Sequence, residues 1–163
     1  MAKQKTQEQK NTKYRLLAKN RRAFHEYDIL DTYEAGIVLS GTEVKSLREN
    51  NCQLTDAFAL VRNKEVWLNN LHIAPYSHGT YNNGDPDRKR KLLLHRKQIR
   101  EITQKTQEKG MALVPLKIYF NDEGRVKVEL ALARGKKLHD KRAAMAERDA
   151  AREIDRAIKM QYR

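Results

Sequence analysis

Residues 20–48 restrict the possible folds more than any other stretch, because a long alternating segment runs straight into a chemically marked helix start. From Tyr27 the odd positions are Tyr27, Ile29, Asp31, Tyr33, Ala35, Ile37 and Leu39, and the even ones are Asp28, Leu30, Thr32, Glu34, Gly36 and Val38. The odd set is nearly all apolar and the even set is mixed, which is the pattern of a half-buried strand. On this alternation Tyr27 falls on the core side. Gly36 predicts a bulge or sharp bend, as in a strand that curls around a small barrel. Ser40 and Glu43 then stand at capping-box spacing, so hydroxyl and carboxylate satisfy orphan amides at a helix start. The helix that follows turns Val44 and Leu47 inward and Lys45 and Arg48 outward.

Charge narrows the class of partner. The 163 residues carry a formal charge of +13, with a pI near 9.9. That balance suits a polyanion: nucleic acid first, an anionic membrane surface second, a merely solvated basic surface third. Only 39% of residues are hydrophobic and 7% aromatic, so the core is small for the length. No apolar run approaches the roughly 18 residues of a membrane span, and the N-terminus lacks the apolar core of a signal peptide. Cys52 is the single cysteine, so no internal disulfide forms and a reducing cytosol fits. It is expected to be a small half-buried filler.

Residues 1–19 hold six cations against Glu8 alone and read as a basic disordered arm, either settling on phosphates or simply solvated. Residues 57–62 and 65–69 form a hairpin around Asn63 and Lys64. Trp67 suits the core better than a stacking role, though both fit a strand. Residues 71–74 continue as a strand until Pro75. Residues 76–91 are a loop with two tyrosines, one histidine and four consecutive cations, Arg88, Lys89, Arg90 and Lys91. Rings and cations together suit single-stranded or looped RNA; a loop without contacts is the plain alternative. Residues 96–108 form a helix with Ile99 and Ile102 inward, a weak His95/Gln98 cap, and a stop at Gly110. Residues 111–120 and 125–133 form the clearest hairpin, turning at Asn121 to Gly124. About six strands and two short helices precede Gly135, and short antiparallel connections make a small closed OB-type barrel the expected fold.

After Arg134 the composition shifts. Residues 139–163 are rich in Ala, Arg, Glu and Lys, with Ala143, Ala146, Ala150, Ile154, Ala157 and Ile158 as an inward stripe. A stripe so poor in large side chains stabilises little when docked, so the tail is expected to be unfolded or loosely helical alone and helical on a partner. The resulting division is an arm at 1–19, a barrel at 20–134 and a basic tail at 135–163.

No active site is legible. His25 and Glu26 are neighbours on a strand and point to opposite faces. The histidines lack partners at metal spacing, and no phosphate loop or nucleophile elbow is present. No enzyme activity, metal or cofactor is expected. Glu34 is the odd residue, a carboxylate on the polar face of a chain built to attract phosphate. Spacing alone favours an internal ion pair with an arginine; the alternative is a contact to a base amino group or a ribose hydroxyl.

Several motifs also stand in a familiar order: His25-Glu26-Tyr27, Tyr33-Glu34-Ala35-Gly36, residues 41–48 from Gly41-Thr42-Glu43 to Leu47-Arg48, Arg90-Lys91-Leu92-Leu93-Leu94, and residues 135–142 from Gly135-Lys136-Lys137 to Lys141-Arg142. In this the chain resembles the bacterial tmRNA-binding family, small protein B. The resemblance implies an OB-like barrel with flanking helices that binds the tRNA-like domain of tmRNA and brings it to stalled ribosomes. It implies an RNA face of Asn20, Arg21, Arg22, Tyr27, Glu34, Leu93 and the position of His95, with Lys91 beside them. His95 departs from the asparagine of a close family member. In the tail, Gly135, Lys136 and Lys137 would be the hinge into the message channel. His139 would stack on a decoding-centre base, with Asp140, Lys141 and Arg142 alongside. The implied partners are tmRNA and small-subunit ribosomal RNA, with elongation factor Tu and alanyl-tRNA synthetase through the shared tmRNA. A cytoplasmic monomer without a membrane role is expected. An OB-fold ribosomal protein or translation factor is the alternative within the class, and an RNA-processing enzyme is the alternative outside it.

Overall fold

The computed structural model describes residues 15–79, 83–136 and 138–161. In chain order these form β1 (Arg15–Lys19), α1 (Arg21–Glu26), β2 (Tyr27–Ile37), α2 (Gly41–Arg48), β3 (Cys52–Gln53), β4 (Phe58–Arg62), β5 (Glu65–Asn69), β6 (His72–Ile73), β7 (Arg90–Leu93), α3 (Arg96–Thr106), β8 (Met111–Phe120), β9 (Val126–Gly135) and α4 (Leu138–Gln161). The protein is mainly β. Seven strands make one antiparallel sheet in the order β1-β8-β4-β5-β7-β2-β9, and β8 also pairs with β9, so the pairing returns on itself. β3 and β6 pair separately.

The local signals correspond to real elements. Asn63 and Lys64 turn the β4–β5 hairpin with φ of 52° and 60°, the left-handed pair that matches strand twist. Asn121 closes the β8–β9 turn, its Oδ1 accepting from the amides of Glu123 and Arg125 at 3.1 and 2.9 Å. The capping box of α2 is complete in both directions. Ile102 is fully buried under α3, and Leu47 under α2.

Two bulges decide which side chains share a face. In β2 the register steps past Leu30, between Ile29 opposite Ala133 and Asp31 opposite Leu132. In β8 it steps past Leu116, between Pro115 and Lys117. One extra residue reverses the phase of everything beyond it. Tyr33, Ala35, Leu113, Ile118, Val128, Leu130 and Leu132 therefore enter the main core. Tyr27 and Ile29 pack on the opposite face, in a second cluster of Ala23, Val114, Leu116, Ala131 and Ala133. The single-face alternation expected for 27–39 is thus corrected: the bulge lies at Leu30, not Gly36, and Tyr27 leaves the main core. Gly36 has a different task. It pairs with Leu93 on one side and Lys127 on the other, and an added Cβ would stand 3.3 Å from the Cβ of Leu93. Gly36→Val should cost about 1–3 kcal/mol in denaturant unfolding through this overpacking; an unchanged midpoint would refute the close approach.

Other expectations change. The arm at 1–19 ends in a strand: β1 pairs with the far end of β8, and Leu17 and Ala18 pack against the core; residues 1–14 lie outside the described residues. A third helix, α1, precedes the long strand, so His25 and Glu26 sit on a helix. Trp67 is only half-buried and faces outward between Leu60 and Lys91. The tail is a 24-residue helix whose stripe is uncovered from Ala146 on, with Ile154 60% and Ile158 48% exposed; the side chain of Ala143 lies outside the described residues. Strong helix formers hold the exposed part of it, from Met145 on, without a packing face.

Candidate nucleic-acid interface

The outward side of β2 carries Thr32, Glu34 and Gly36. Glu34 is exposed and stands opposite Glu129 in the register. The hydroxyl of Tyr119 donates to Glu34 Oε2 at 2.8 Å. Glu129 is balanced by Lys117 at 3.4 Å, whose Nζ lies 5.9 Å from the Tyr119 ring centroid. The arginine partner that spacing favoured is therefore not what holds Glu34. A phenol orients the carboxylate and leaves its charge in place, with lone pairs free to accept from an amino group or a ribose hydroxyl.

Leu93 is 51% exposed and lies against Gly36 on this same side. Lys91 also faces outward but is bound to Glu65 at 2.8 Å. His95 is exposed, and its backbone amide donates to Gln98 Oε1 at 3.2 Å, completing that half of the α3 cap.

α1 extends the surface. It covers Ala131 and Ala133 of β9, which follow Glu129 on the same face because residues two apart share a side. Asn20 starts the helix and is only 5% exposed. Its Nδ2 donates to the Pro115 carbonyl at 3.1 Å and its Oδ1 accepts from Ala23 at 3.2 Å. This residue builds the patch from beneath; it does not present itself to a ligand. Arg21 is exposed. Arg22 is shared between Glu26 and Asp56, each at 3.4 Å. Tyr27 is half-buried at the helix exit, and Lys136 ties the tail to this spot through its amide to the Glu26 carbonyl at 2.9 Å. One outward surface of β7, β2 and β9 thus gathers Leu93, Glu34 and Tyr27, with α1 and its exposed Arg21 at one end and the tail leaving from its edge. Arg142 is exposed on α4. Lys137 and the side chains of His139, Asp140 and Lys141 lie outside the described residues.

The cationic run divides. Arg90 is wholly buried: it donates to Glu43 Oε2 and to the carbonyls of Leu71, Arg88 and Pro86. Arg88 donates through Nε to Glu43 Oε1 at 3.0 Å, and Ser40 N donates to that same oxygen at 3.0 Å. Burial alone would raise the Glu43 pKa, but the hydrogen bonds from Arg88, Ser40 and Arg90 prevail and hold it below the ordinary carboxylate value. Burial pushes Arg90 down and Glu43 holds it up, so it stays charged. Of the four cations Arg90 is an internal strut, Arg88 is half-buried and tied to Glu43, and Lys91 is tied to Glu65, leaving Lys89 without an acidic partner among the described residues. A carboxylate at the third helical position was the available sign of a second partner, but nothing nearby in the chain indicates which cation reaches it.

Among the described residues no cluster of three or more His, Cys, Asp or Glu is placed to hold a metal ion, and no helix is long and apolar enough to cross a membrane. Burial pushes the Cys52 thiol up to about 11, so it is protonated and unreactive at neutral pH.

Comparison with known proteins addresses the whole chain. A sequence model described as SmpB protein matches residues 17–160. The SsrA-binding protein of Frankia casuarinae is 58% identical over 149 residues, covering 91% of this chain and 93% of that protein. The SsrA-binding protein of Mycolicibacterium smegmatis is 58% identical over 153 residues, 94% of each chain. A solved chain described as "tmRNA-SmpB: a journey to the center of the bacterial ribosome" superposes with a TM-score of 0.63 at 58% identity, covering 74% of this chain and 85% of that one. With a family match from β1 into α4 and relatives this similar along nearly their full length, the chain belongs to the SmpB family.

Proposed function

We propose that this protein binds the tRNA-like domain of tmRNA and delivers it to stalled ribosomes for trans-translation, in which incomplete peptides are tagged and the ribosome is released. The observation that carries this reading is the outward surface joining Arg21, Tyr27, Glu34 and Leu93, set in a chain of charge +13 whose relatives are SsrA-binding proteins. On a folded tRNA-like elbow few bases are free, so backbone charge and shape provide most of the affinity. Glu34, oriented by Tyr119, supplies the discriminating contact. The strand circuit through β8, β4, β5, β7, β2 and β9 is read as an OB-type barrel that holds this surface rigid. The hinge at Gly135, Lys136 and Lys137 directs the tail into the vacant message channel, with His139, Asp140, Lys141 and Arg142 at the decoding centre. Elongation factor Tu and alanyl-tRNA synthetase meet the protein through the shared tmRNA, in the cytoplasm. The protein acts by binding as a monomer, with no catalytic residue or cofactor.

The test is binding to a tRNA-like tmRNA fragment and to an ordinary elongator tRNA across salt. Wild type should prefer the fragment. Glu34→Ala should weaken that preference about tenfold, the scale of a single hydrogen-bonded base edge, with the fold intact. Equal binding of both RNAs, with a steep salt slope, would reduce the protein to a generic basic binder.

A further inference from the structure

A groove of about 1080 Å³ runs between α3, the β4–β5 turn and the end of β7. Four cations line it: Lys64 from the turn, Lys91 from β7, and Arg96 and Arg100 from α3. The one acid in the lining, Glu65, is taken up by Lys91 at 2.8 Å. Among the described residues Lys64, Arg96 and Arg100 have no acidic partner, whereas Arg22, Arg88, Arg90, Arg125 and Arg134 each have one. Arg96 and Arg100 are one helical turn apart on the same face of α3, where like charges repel and weaken the helix. Among the described residues no acidic side chain answers this arrangement. An anion in the groove would.

The shape restricts the anion. The groove is at the top of the size range of small-molecule pockets, about 300–1,000 Å³. Its volume matches a few nucleotides of a single strand. Leu93 and Ile99 line it with apolar surface beside the cations, the combination that takes a ribose or base on one wall and phosphates on the other. Leu93, one of its lining residues, lies against Gly36, two residues from Glu34. A chain leaving the Glu34 surface meets the groove next.

We infer that this groove holds an unpaired stretch of the bound RNA, with Lys64, Arg96 and Arg100 as its phosphate ligands. The inference rests on the reading that the Glu34–Leu93 surface takes structured RNA. The groove adds a second segment of RNA, recognised because it is single-stranded.

The test uses the full chain and compares Arg96→Gln/Arg100→Gln with Lys97→Gln/Lys109→Gln. The second pair removes the same charge from exposed residues that do not line the groove. Each is titrated with the tRNA-like tmRNA fragment and with a fully paired RNA duplex. The groove variant should bind the fragment about tenfold more weakly. Its log–log salt slope should fall by about 1.4–1.8, at roughly 0.7–0.9 for each phosphate that is no longer neutralised. The control pair should change the slope by less than half as much, and on the duplex the two variants should match. Equal weakening by both pairs on the fragment, or a groove-variant effect as large on the duplex, overturns the groove. A wild type without preference for the fragment over elongator tRNA would overturn the functional reading instead. The groove is still judged by unpaired against paired RNA. A photo-cross-linker at Gln104, inside the lining, should attach to unpaired nucleotides; attachment to paired ones counts against the inference.

Discussion

Glu43→Ala should destabilise the protein by about 3–5 kcal/mol, the cost of leaving a buried charge without its partner. Arg90 is 0% exposed, and its other acceptors are neutral carbonyls of Leu71, Arg88 and Pro86. With Glu43 gone the guanidinium keeps its charge in a site that water does not reach. The same deletion releases Arg88 and breaks half of the α2 cap, so α2, β7 and the loop between β6 and β7 loosen together. Because the three groups act as a unit, Glu43→Ala and Arg90→Met combined should cost less than their sum. Strictly additive losses would show that the carboxylate and Arg90 are not coupled.

The pair also predicts a pH dependence with a definite sign. The folded pKa of Glu43 lies below the ordinary carboxylate value. Its contribution is therefore complete above that ordinary value and disappears as pH falls through the folded one. The stability gap between wild type and Glu43→Gln should be full at neutral pH and shrink in acid. Gaps of the same size in strong acid and at neutral pH would remove the linkage.

The second large effect concerns the tail. A chain ending at Lys136 should bind the tRNA-like fragment as wild type does, yet support no tagging of stalled peptides above background in a reconstituted translation assay. The physical basis is separation. From Met145 on, α4 leaves its Met145, Ile154 and Ile158 side chains in solvent, so removing that part uncovers little, and the melting temperature should move by no more than surface changes do, about 0.5 kcal/mol equivalent. Ending at Lys136 keeps the Tyr27–Gly135 pairing and the Lys136–Glu26 hydrogen bond. A truncated chain that still tags peptides would separate the tail from ribosome rescue; one that no longer binds the fragment would place the tail in the RNA surface itself.

Features written within a few residues of one another were legible before any fold was known. They include the hairpins at Asn63-Lys64 and Asn121 to Gly124, the α2 capping box, the inward Leu47 and Ile102, the basic character and the family motifs. Local backbone preference and side-chain period suffice for them. Features that depend on partners far apart in the chain were not legible. The bulge at Leu30 shows no residue signature, since it is set by registry with β9, and it alone puts Tyr27 on the face of Glu34; the bulge at Leu116 had one sign, the adjacent Pro115. α1 is a six-residue helix too short for periodicity to reveal, held by Asn20 reaching Pro115. β1 is a strand because the end of β8 is there to pair with it. Arg88 and Arg90 look like ligands for phosphate until Glu43, more than forty residues earlier, turns them inward. A charge on the sequence is only a candidate contact; burial and the nearest opposite charge decide whether it faces the solvent.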